Sequence, residues 1–207
     1  AKETLRTQWA SGKLAPAWSN ACGSAPAGVA VADGTVVLFH RQNDEETLSA
    51  FDAETGKPRW KQGFATTFQA AIVDDDGPRA VPTIAAGNVF AYGAQGRLIC
   101  VDFKTGAALW NRETHKEYGA PGGYFGAGSA PLVDGKLVIV NVGGPKGAGM
   151  VAFEIATGKP AWRTSDELAS YAAPIAATIH GQRRVLAITR YQFLGLDPVT
   201  GKEFFRV

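Results

Sequence analysis

The sequence predicts an all-β fold, a β-propeller with about four four-stranded antiparallel blades. Three observations support it: one motif recurs four times, short apolar stretches alternate with turn residues, and glycine and proline are frequent. The 207 residues include 25 Gly and 11 Pro, and 45% are hydrophobic. This length and composition allow a sizeable core made of many short strands joined by turns.

The repeated motif has an acid, a Thr-Gly pair and an aromatic residue at fixed spacing. Four segments align on it without gaps: 48–60, 98–110, 150–162 and 193–205. The key residues are Asp52, Gly56 and Trp60; Asp102, Gly106 and Trp110; Glu154, Gly158 and Trp162; and Asp197, Gly201 and Phe205. The acids follow one another at intervals of 43 to 52 residues, which is the length of one propeller blade.

Each position of the motif has a physical role. Alternating apolar residues before the acid predict a strand, and the carboxylate can accept a backbone N–H two residues further on. The glycine supplies the positive φ of a tight turn. The aromatic residue is interpreted as a wedge between neighbouring sheets. The small residue two positions before each acid leaves room for that ring.

A second block precedes each motif and predicts two more strands per repeat. Its turns are read as Asp33-Gly34, Gly87-Asn88, Asp134-Gly135 and His180-Gly181. Each repeat therefore contains four antiparallel strands. We expect blades at 24–64, 79–112, 129–164 and 172–207.

The recurring Asp-x-x-Thr-Gly-x-x-x-Trp motif resembles the tryptophan-docking repeat of the PQQ-like (quinoprotein-type) β-propeller superfamily. The resemblance covers residues 24–205. It is closer to the BamB-like, non-catalytic bacterial repeat proteins than to the PQQ dehydrogenases. It implies a bacterial protein of the periplasm or cell envelope, or a secreted one. Fold alone does not define function in this superfamily.

The resemblance also bears on ring closure, because relatives usually close with about seven or eight blades. The chain would then form one domain that is a propeller or part of one. We interpret residues 14–18, which end in Trp18, as the outer strand of a closing blade whose other strands lie beyond residue 207. If the chain is complete, the alternative is an open half-ring that dimerises through its exposed blade edges.

Strand order separates two faces of the predicted ring. The tight-turn face carries the Asp-x-x-Thr-Gly turns and the short hairpin turns. The long-loop face carries the connections 61–80, 111–128 and 163–171, and the shorter loops 41–47, 94–97, 144–149 and 190–192. Binding residues concentrate on long, uneven loops. The candidate binding residues are Arg41, Asn43, Arg79, Gln95, Arg97, Tyr118, Tyr124, Phe125, Asn141, Arg190 and Tyr191.

The most distinctive loop is 115–126, in which aromatic residues stand in a glycine-rich frame. One interpretation is a lip that contacts a ligand or peptide at the mouth of the channel. The other is a long connection whose aromatic residues only pack on the next blade. The sequence leaves both open.

No catalytic constellation is evident in the sequence. The PQQ dehydrogenases of the superfamily typically use bound Ca²⁺, an Asp base and often a disulfide between adjacent cysteines. Cys22 and Cys100 are far apart, and Cys100 occupies the small-residue position of its repeat. Residues 74–77 lack the spacing of a calcium loop, so a solvated acidic turn is favoured and a weak Ca²⁺ contact is the alternative. We therefore predict no catalytic or metal residues and no cofactor, and we favour a scaffold over an enzyme.

The expected partner is a protein, peptide or glycan bound on the long-loop face. A net charge of +2 without a basic run argues against nucleic acid. No stretch approaches the roughly 18 consecutive apolar residues of a membrane-spanning helix. The alternative function is a PQQ-dependent alcohol or sugar dehydrogenase with its cofactor site partly in missing blades.

Overall fold

The computed structural model describes residues 15–207. This part of the chain forms four four-stranded antiparallel sheets, which confirms the predicted propeller blades. Blade A contains β1 (Ala30–Ala32), β2 (Thr35–Gln42), β3 (Glu45–Asp52) and β4 (Pro58–Ala65). Blade B contains β5 (Thr83–Ala85), β6 (Asn88–Tyr92), β7 (Arg97–Asp102) and β8 (Ala108–Glu113). Blade C contains β9 (Leu132–Asp134), β10 (Leu137–Gly144), β11 (Ala148–Glu154) and β12 (Pro160–Thr164). Blade D contains β13 (Ile175–Ile179), β14 (Gln182–Ile188), β15 (Phe193–Leu196) and β16 (Glu203–Arg206).

The blades are meanders, and their first strands lie next to one another in the order β1, β5, β9 and β13. The hydrophobic core lies between the sheets because each strand alternates its side chains between two neighbouring blades. Val37 and Phe39 of blade A pack with Ile99 of blade B, for example. Two further buried clusters join blade B to blade C and blade C to blade D.

The motif tryptophans dock on the next blade along the chain, as the wedge interpretation predicted. Each indole N–H donates a hydrogen bond to the main-chain oxygen of the residue that follows the next motif acid. The bonds run from Trp60 to Phe103 at 2.9 Å, from Trp110 to Ile155 at 2.8 Å and from Trp162 to Pro198 at 3.0 Å. Each ring also lies against the turn glycine of that motif. The tryptophans therefore fix the spacing between successive sheets.

The acid and the glycine of the motif shape the turn on which the next tryptophan lands. Asp102 accepts hydrogen bonds from the backbone N–H groups of Lys104 and Thr105 at 3.1 and 2.8 Å, and from the Thr105 hydroxyl at 2.8 Å. These bonds, the one from the Thr105 hydroxyl first, lower the pKa of Asp102. Gly106 has φ +74°. Cross-strand pairing places the small Cys100 opposite Trp110, which explains the small-residue position.

Two of the four hairpin turns lie one residue away from their predicted places. The β5–β6 turn is Ala86-Gly87 rather than Gly87-Asn88, because Ala86 and Gly87 both take positive φ and Asn88 already pairs in β6. The β9–β10 turn is Gly135-Lys136, since Asp134 is still paired with Leu137. The sequence pattern located all four turns but placed two of them one residue out of register.

The segment before blade A lies partly outside the described residues, because Leu14 does. Residues 15–18 form no strand in the structure, and the outer-strand interpretation stays a prediction. Trp18 nevertheless docks on blade A as the other tryptophans dock on theirs. Its indole N–H donates to the Ala53 oxygen at 3.0 Å, and its ring lies against Gly56.

The connections between blades lie on the long-loop face. The connection from blade B to blade C begins with a short helix, α1 (Thr114–Tyr118), which the sequence pattern did not predict. The helix ends at Gly119, whose φ of 64° lets the chain turn away. The helix is too short to show a period of its own. In the described part of the chain, no helix is long and apolar enough to cross a membrane.

Candidate functional site

A pocket of about 640 Å³ opens on the long-loop face, where parts of blades B, C and D meet. The glycine-rich connection from blade B to blade C forms one side of it. The end of β10 and the connection from blade C to blade D form the other side. Its volume is in the range typical of small-ligand or peptide pockets. A second, smaller pocket of about 340 Å³ lies on blade A, away from this one.

Two aromatic residues form a fixed wall of the pocket. Phe125 and Tyr171 pack edge to face with their ring centres 5.8 Å apart, and the Phe125 N–H donates to the Tyr171 hydroxyl at 3.4 Å. Gly128 allows this contact, since a β-carbon there would lie 2.8 Å from the Tyr171 ring. Tyr171 is still 49% exposed, and Tyr124 at the lip is 63% exposed. The wall therefore offers aromatic surface to a ligand.

Asn141 lines the pocket from strand β10 and is only 1% exposed. Its side-chain N–H donates to the Ile188 oxygen of blade D at 3.2 Å. Its side-chain oxygen has no hydrogen-bond donor among the described residues. Because a buried polar atom without a partner costs free energy, this oxygen favours a ligand that brings an N–H or O–H group.

Arg190 lines the pocket two residues beyond the end of blade D's strand β14. Its main-chain N–H donates to the Leu168 oxygen at 2.9 Å, which ties it to the connection from blade C. Its guanidinium lies 5.5 Å from the centre of the Tyr191 ring. No described lining residue is Asp or Glu, so Arg190 is the permanent charge of the pocket.

His115 of helix α1 also lines the pocket. Burial lowers its pKa, so the imidazole is neutral at neutral pH. The ring packs edge to face on Tyr92, whose hydroxyl is hydrogen-bonded to the Thr114 hydroxyl at 2.7 Å. His115 therefore adds a neutral polar edge to the pocket and no further positive charge.

The structure brings four of the predicted binding residues together in this pocket: Tyr124, Phe125, Asn141 and Arg190. Two more touch its edge without lining it. The Arg79 guanidinium lies 5.4 Å from the centre of the Phe125 ring, on the side of the blade A connection, and Tyr191 lies under Arg190. Their role in binding stays a prediction.

Four other predicted residues lie away from the pocket, around the junction of blades A and B. The Arg97 guanidinium pairs with Glu113 at 2.5 Å and donates to the Ala65 oxygen at 2.8 Å. Gln95 accepts a hydrogen bond from Thr66 at 3.0 Å. These bonds hold the blade A connection against blade B.

Arg41 and Asn43 belong to the same junction. The Arg41 guanidinium donates to the main-chain oxygens of Asn43, at 2.9 Å, and of Phe68. Asn43 itself is exposed in the β2–β3 turn with φ +55°. Both residues shape the loops of blade A.

Tyr118 is also placed apart from the pocket. Its ring packs edge to face on Phe153 of blade C with ring centres 6.3 Å apart, and it adjoins the core cluster between blades B and C. Burial raises its pKa. For Tyr118 the structure supports the packing interpretation of the loop, and for Tyr124 it leaves the ring exposed at the lip.

Sequence reasoning did not include Tyr171, Ser170 or His115 among the binding residues. Tyr171 lies in the connection 163–171, which was recognised as a long loop, but a single aromatic residue there gave no separate signal. His115 begins the loop 115–126, which its aromatic residues and glycines made distinctive. Their place in the pocket depends on how blades B, C and D pack together, which no local pattern encodes.

The acidic segment 74–77 behaves as a turn. Asp75 accepts a hydrogen bond from the Gly77 N–H at 2.9 Å and from the Ser24 hydroxyl, and Asp76 accepts one from the Ala70 N–H at 2.6 Å. The Ser24 bond is the larger cause of the lowered pKa of Asp75. Among residues 15–207, no group of three or more His, Cys, Asp or Glu is placed to hold a metal ion.

The two cysteines are separate, with Cys22 exposed and Cys100 buried between blades. Burial raises the pKa of Cys100 to about 12, so it stays a thiol. Its environment is the core cluster between blades B and C.

The fold and the docked tryptophans define a class of protein, the repeat β-propellers whose blades are joined by motif indoles. The family model described as "Outer membrane protein assembly factor BamB" matches residues 2–122 and again residues 80–205. The two overlapping matches cover nearly the whole chain. The chain belongs to this family.

Curated relatives with detectable sequence similarity include quinone-dependent alcohol dehydrogenases. The chain is 33% identical over 117 residues to the quinohemoprotein alcohol dehydrogenase ADH IIB of Pseudomonas putida. It is 35% identical over 124 residues to the dehydrogenase subunit of the alcohol dehydrogenase (quinone) of Gluconacetobacter polyoxogenes. These matches cover 55% and 56% of this chain but 16% of each relative.

Solved structures with the same fold come from both kinds of protein. The quinohemoprotein alcohol dehydrogenase from Comamonas testosteroni superposes with a TM-score of 0.65 at 18% identity, covering 89% of this chain and 35% of that one. BamB from Moraxella catarrhalis superposes with a TM-score of 0.61 at 20% identity, covering 91% of this chain and 53% of that one. At these identities the likeness shows the propeller fold alone.

Proposed function

We propose that this chain is a non-catalytic propeller scaffold that binds a protein, peptide or glycan partner on its long-loop face, at the pocket beside Tyr124. The observation that carries the proposal is Asn141, whose buried side-chain oxygen lacks a donor among the described residues in the pocket that the exposed Tyr124 also lines. Exposed tyrosines over a buried polar group are typical of surfaces that recognise a partner.

The family supports the same reading, since its model is described as an outer-membrane assembly factor. Assembly of other proteins requires that they be bound, which agrees with a binding role. On this basis we propose that the chain acts in the cell envelope or periplasm. We also propose that Trp18 belongs to the outer strand of the closing blade and that the four blades form part of a larger ring.

A crosslinking experiment tests the binding role. A photo-crosslinking amino acid is placed at Val199, on the tight-turn face, or at Gly122, on the lip of the pocket, and the protein is mixed with native bacterial envelope. We expect a discrete adduct from position 122 and none from position 199. Tyr124→Ala should weaken the adduct without lowering the melting temperature, since that ring is mostly exposed. An adduct of equal strength with Tyr124→Ala contradicts the proposal.

A second candidate function is a PQQ-dependent dehydrogenase, which the identity to quinone alcohol dehydrogenases favours. The described residues of the pocket do not fit this chemistry. They include no Asp or Glu that could act as a base or bind Ca²⁺ through a carboxylate. Cys22 and Cys100 are not adjacent.

Adding PQQ and Ca²⁺ separates the two candidates. For a scaffold we expect no rise in melting temperature and no dye reduction with alcohols or sugars as substrates. A clear thermal shift together with turnover establishes the dehydrogenase and rejects the scaffold. A protein prepared with EDTA provides the matched control.

A further inference from the structure

The charge of the pocket restricts what it can bind. Arg190 is the permanent charge among its described lining residues, and burial keeps His115 neutral. In the part of the chain that is described, the Arg190 guanidinium takes part in none of the ion pairs. A concave site with one uncompensated cation attracts an anionic group.

The position of this cation matters as much as its charge. Arg190 and Tyr171 line the same pocket, and Phe125 completes the aromatic wall against Tyr171. A ligand that fills this pocket therefore meets both a cation and aromatic surface. The ligand must combine a carboxylate with an adjacent apolar or aromatic group.

Asn141 adds a third feature to the expected ligand, which is a hydrogen-bond donor. One side-chain N–H of Asn141 donates to the Ile188 oxygen, and the buried side-chain oxygen of this pocket-lining residue has no donor among the described residues. A peptide main chain brings an N–H at every non-proline residue, spaced regularly between side chains. An extended peptide can thus place an N–H on Asn141 while neighbouring side chains reach the aromatic wall and Arg190.

We propose that this pocket binds an extended peptide segment in which an acidic residue adjoins an aromatic or apolar one. Arg190 pairs with the carboxylate, Phe125 and Tyr171 pack against the apolar side chain, and the Asn141 oxygen accepts a main-chain N–H. This proposal rests on the proposed binding function and names its ligand class.

The test uses a fluorescein-labelled hexapeptide of alternating Phe and Glu, acetylated and amidated at its ends. Fluorescence anisotropy should show saturable binding that weakens as salt increases. The same peptide with Gln in place of Glu should bind at least about tenfold more weakly, since a charge-assisted pair is lost. Equal affinity for the two peptides overturns the proposal.

Two variants localise the contact. Arg190→Gln should weaken binding of the Glu peptide by about tenfold, and Arg190→Lys should restore part of it because the charge returns. Lys57→Gln is the matched control, because it also removes one positive charge but at an exposed residue on the tight-turn face. This variant should bind the peptide as tightly as the parent does. Unchanged binding in Arg190→Gln overturns the assignment.

The role of Asn141 is tested on the ligand, because a variant of this buried residue could disturb the contact between blades C and D. Peptides methylated at one main-chain nitrogen at a time remove a single N–H. We expect one position to lose at least about tenfold in affinity, the cost of a buried unmade hydrogen bond. Equal binding of all the methylated peptides contradicts the Asn141 contact.

The same assay distinguishes other outcomes. If polygalacturonate binds more tightly than the peptide, the ligand is an acidic glycan and the peptide proposal is wrong. If no peptide binds but the crosslinked adduct depends on Tyr124, the binding function stands and this ligand class is wrong. If both fail, the pocket is not the binding site.

Discussion

The ring of Trp110 lies so close to Gly158 of the next blade that a β-carbon there would stand 2.7 Å from ring atom Cδ2. Gly158 also has φ +67°, a conformation that costs an L-amino acid about 1–2 kcal/mol. The glycine is therefore required twice, for the turn itself and for the indole that lands on it.

Alanine substitutions at two glycines separate the cost of the positive φ from the cost of crowding the indole. Gly158→Ala should lower the free energy of unfolding by the conformational cost plus about 1–3 kcal/mol for overpacking against Trp110. Gly135→Ala is the matched control, since Gly135 has φ +60° and open space around it. It should cost about 1–2 kcal/mol. Urea unfolding measures both, and equal losses would show that the indole can move aside.

The docked indole should contribute strongly to stability. Trp162 is only 9% exposed, packs with Val185 and Leu194 of blade D and donates to the Pro198 oxygen at 3.0 Å. Trp162→Ala should cost about 3–5 kcal/mol, and Trp162→Phe about 1–3 kcal/mol because the ring remains but the hydrogen bond is lost. Leu109→Ala, at a 52% exposed strand position, should change little. A loss below about 1 kcal/mol for Trp162→Ala would contradict the wedge role.

Glu46 should make the fold less stable as pH rises. It is 1% exposed, and its carboxylate accepts the Ala94 N–H at 2.6 Å. Burial raises its pKa above the ordinary value of 4.5, so the folded chain holds this proton more tightly than the unfolded chain does. Its contribution to stability is present at acid pH and is lost as pH rises from about 4.5 through the raised pKa.

Glu46→Gln removes this titration but keeps an acceptor oxygen. We expect a melting temperature a few degrees above that of the parent at pH 7, and a difference that shrinks towards pH 4. Glu45→Gln, an exposed neighbour on the same strand, should give no such trend. If Glu46→Gln tracks the parent at every pH, the carboxylate is solvated in solution.

The motif acids should act in the opposite direction. Hydrogen bonds from Thr105 lower the pKa of Asp102 below the ordinary value of 3.8, so the unfolded chain binds this proton more tightly. Its stabilising contribution is present above pH 3.8 and is lost as pH falls through the lowered pKa of the folded state.

Asp102→Asn tests this, because asparagine keeps an acceptor oxygen and has no charge to titrate. The parent should be more stable than the variant at pH 6, and the gap should close between pH 4 and pH 2. Asp33→Asn, in a turn of the same face, controls for the loss of one charge. A constant gap across this pH range would mean that the Thr105 bonds do not depend on the charge of Asp102.

Much of the fold was accessible from sequence because the motif is local. Asp102, Thr105, Gly106 and Trp110 belong to one short segment, and their hydrogen bonds, positive φ and cross-strand pairing follow from spacing along the chain. Turn register was less accessible. The β5–β6 turn shows this, because Ala86-Gly87 and Gly87-Asn88 both contain the glycine that the pattern of a two-residue turn requires. The backbone takes positive φ at Ala86 and Gly87.

The binding residues were only partly predictable. Long loops pointed to the correct face, but the sequence could not tell which polar side chains the blades would use for their own contacts. Arg97 and Gln95 are engaged in bonds between blades A and B, whereas Asn141 has an oxygen left over. That difference depends on distances across neighbouring sheets.

The sequence by itself determined the blades, their four-stranded meanders and the docking of the three motif tryptophans, because short-range turns and alternating strands encode them. Only the tertiary structure decided that Tyr124, Tyr171, Asn141 and Arg190 share a pocket. These residues lie in separate connections and strands of three blades. Packing between whole sheets, which depends on every buried side chain at once, brings them together.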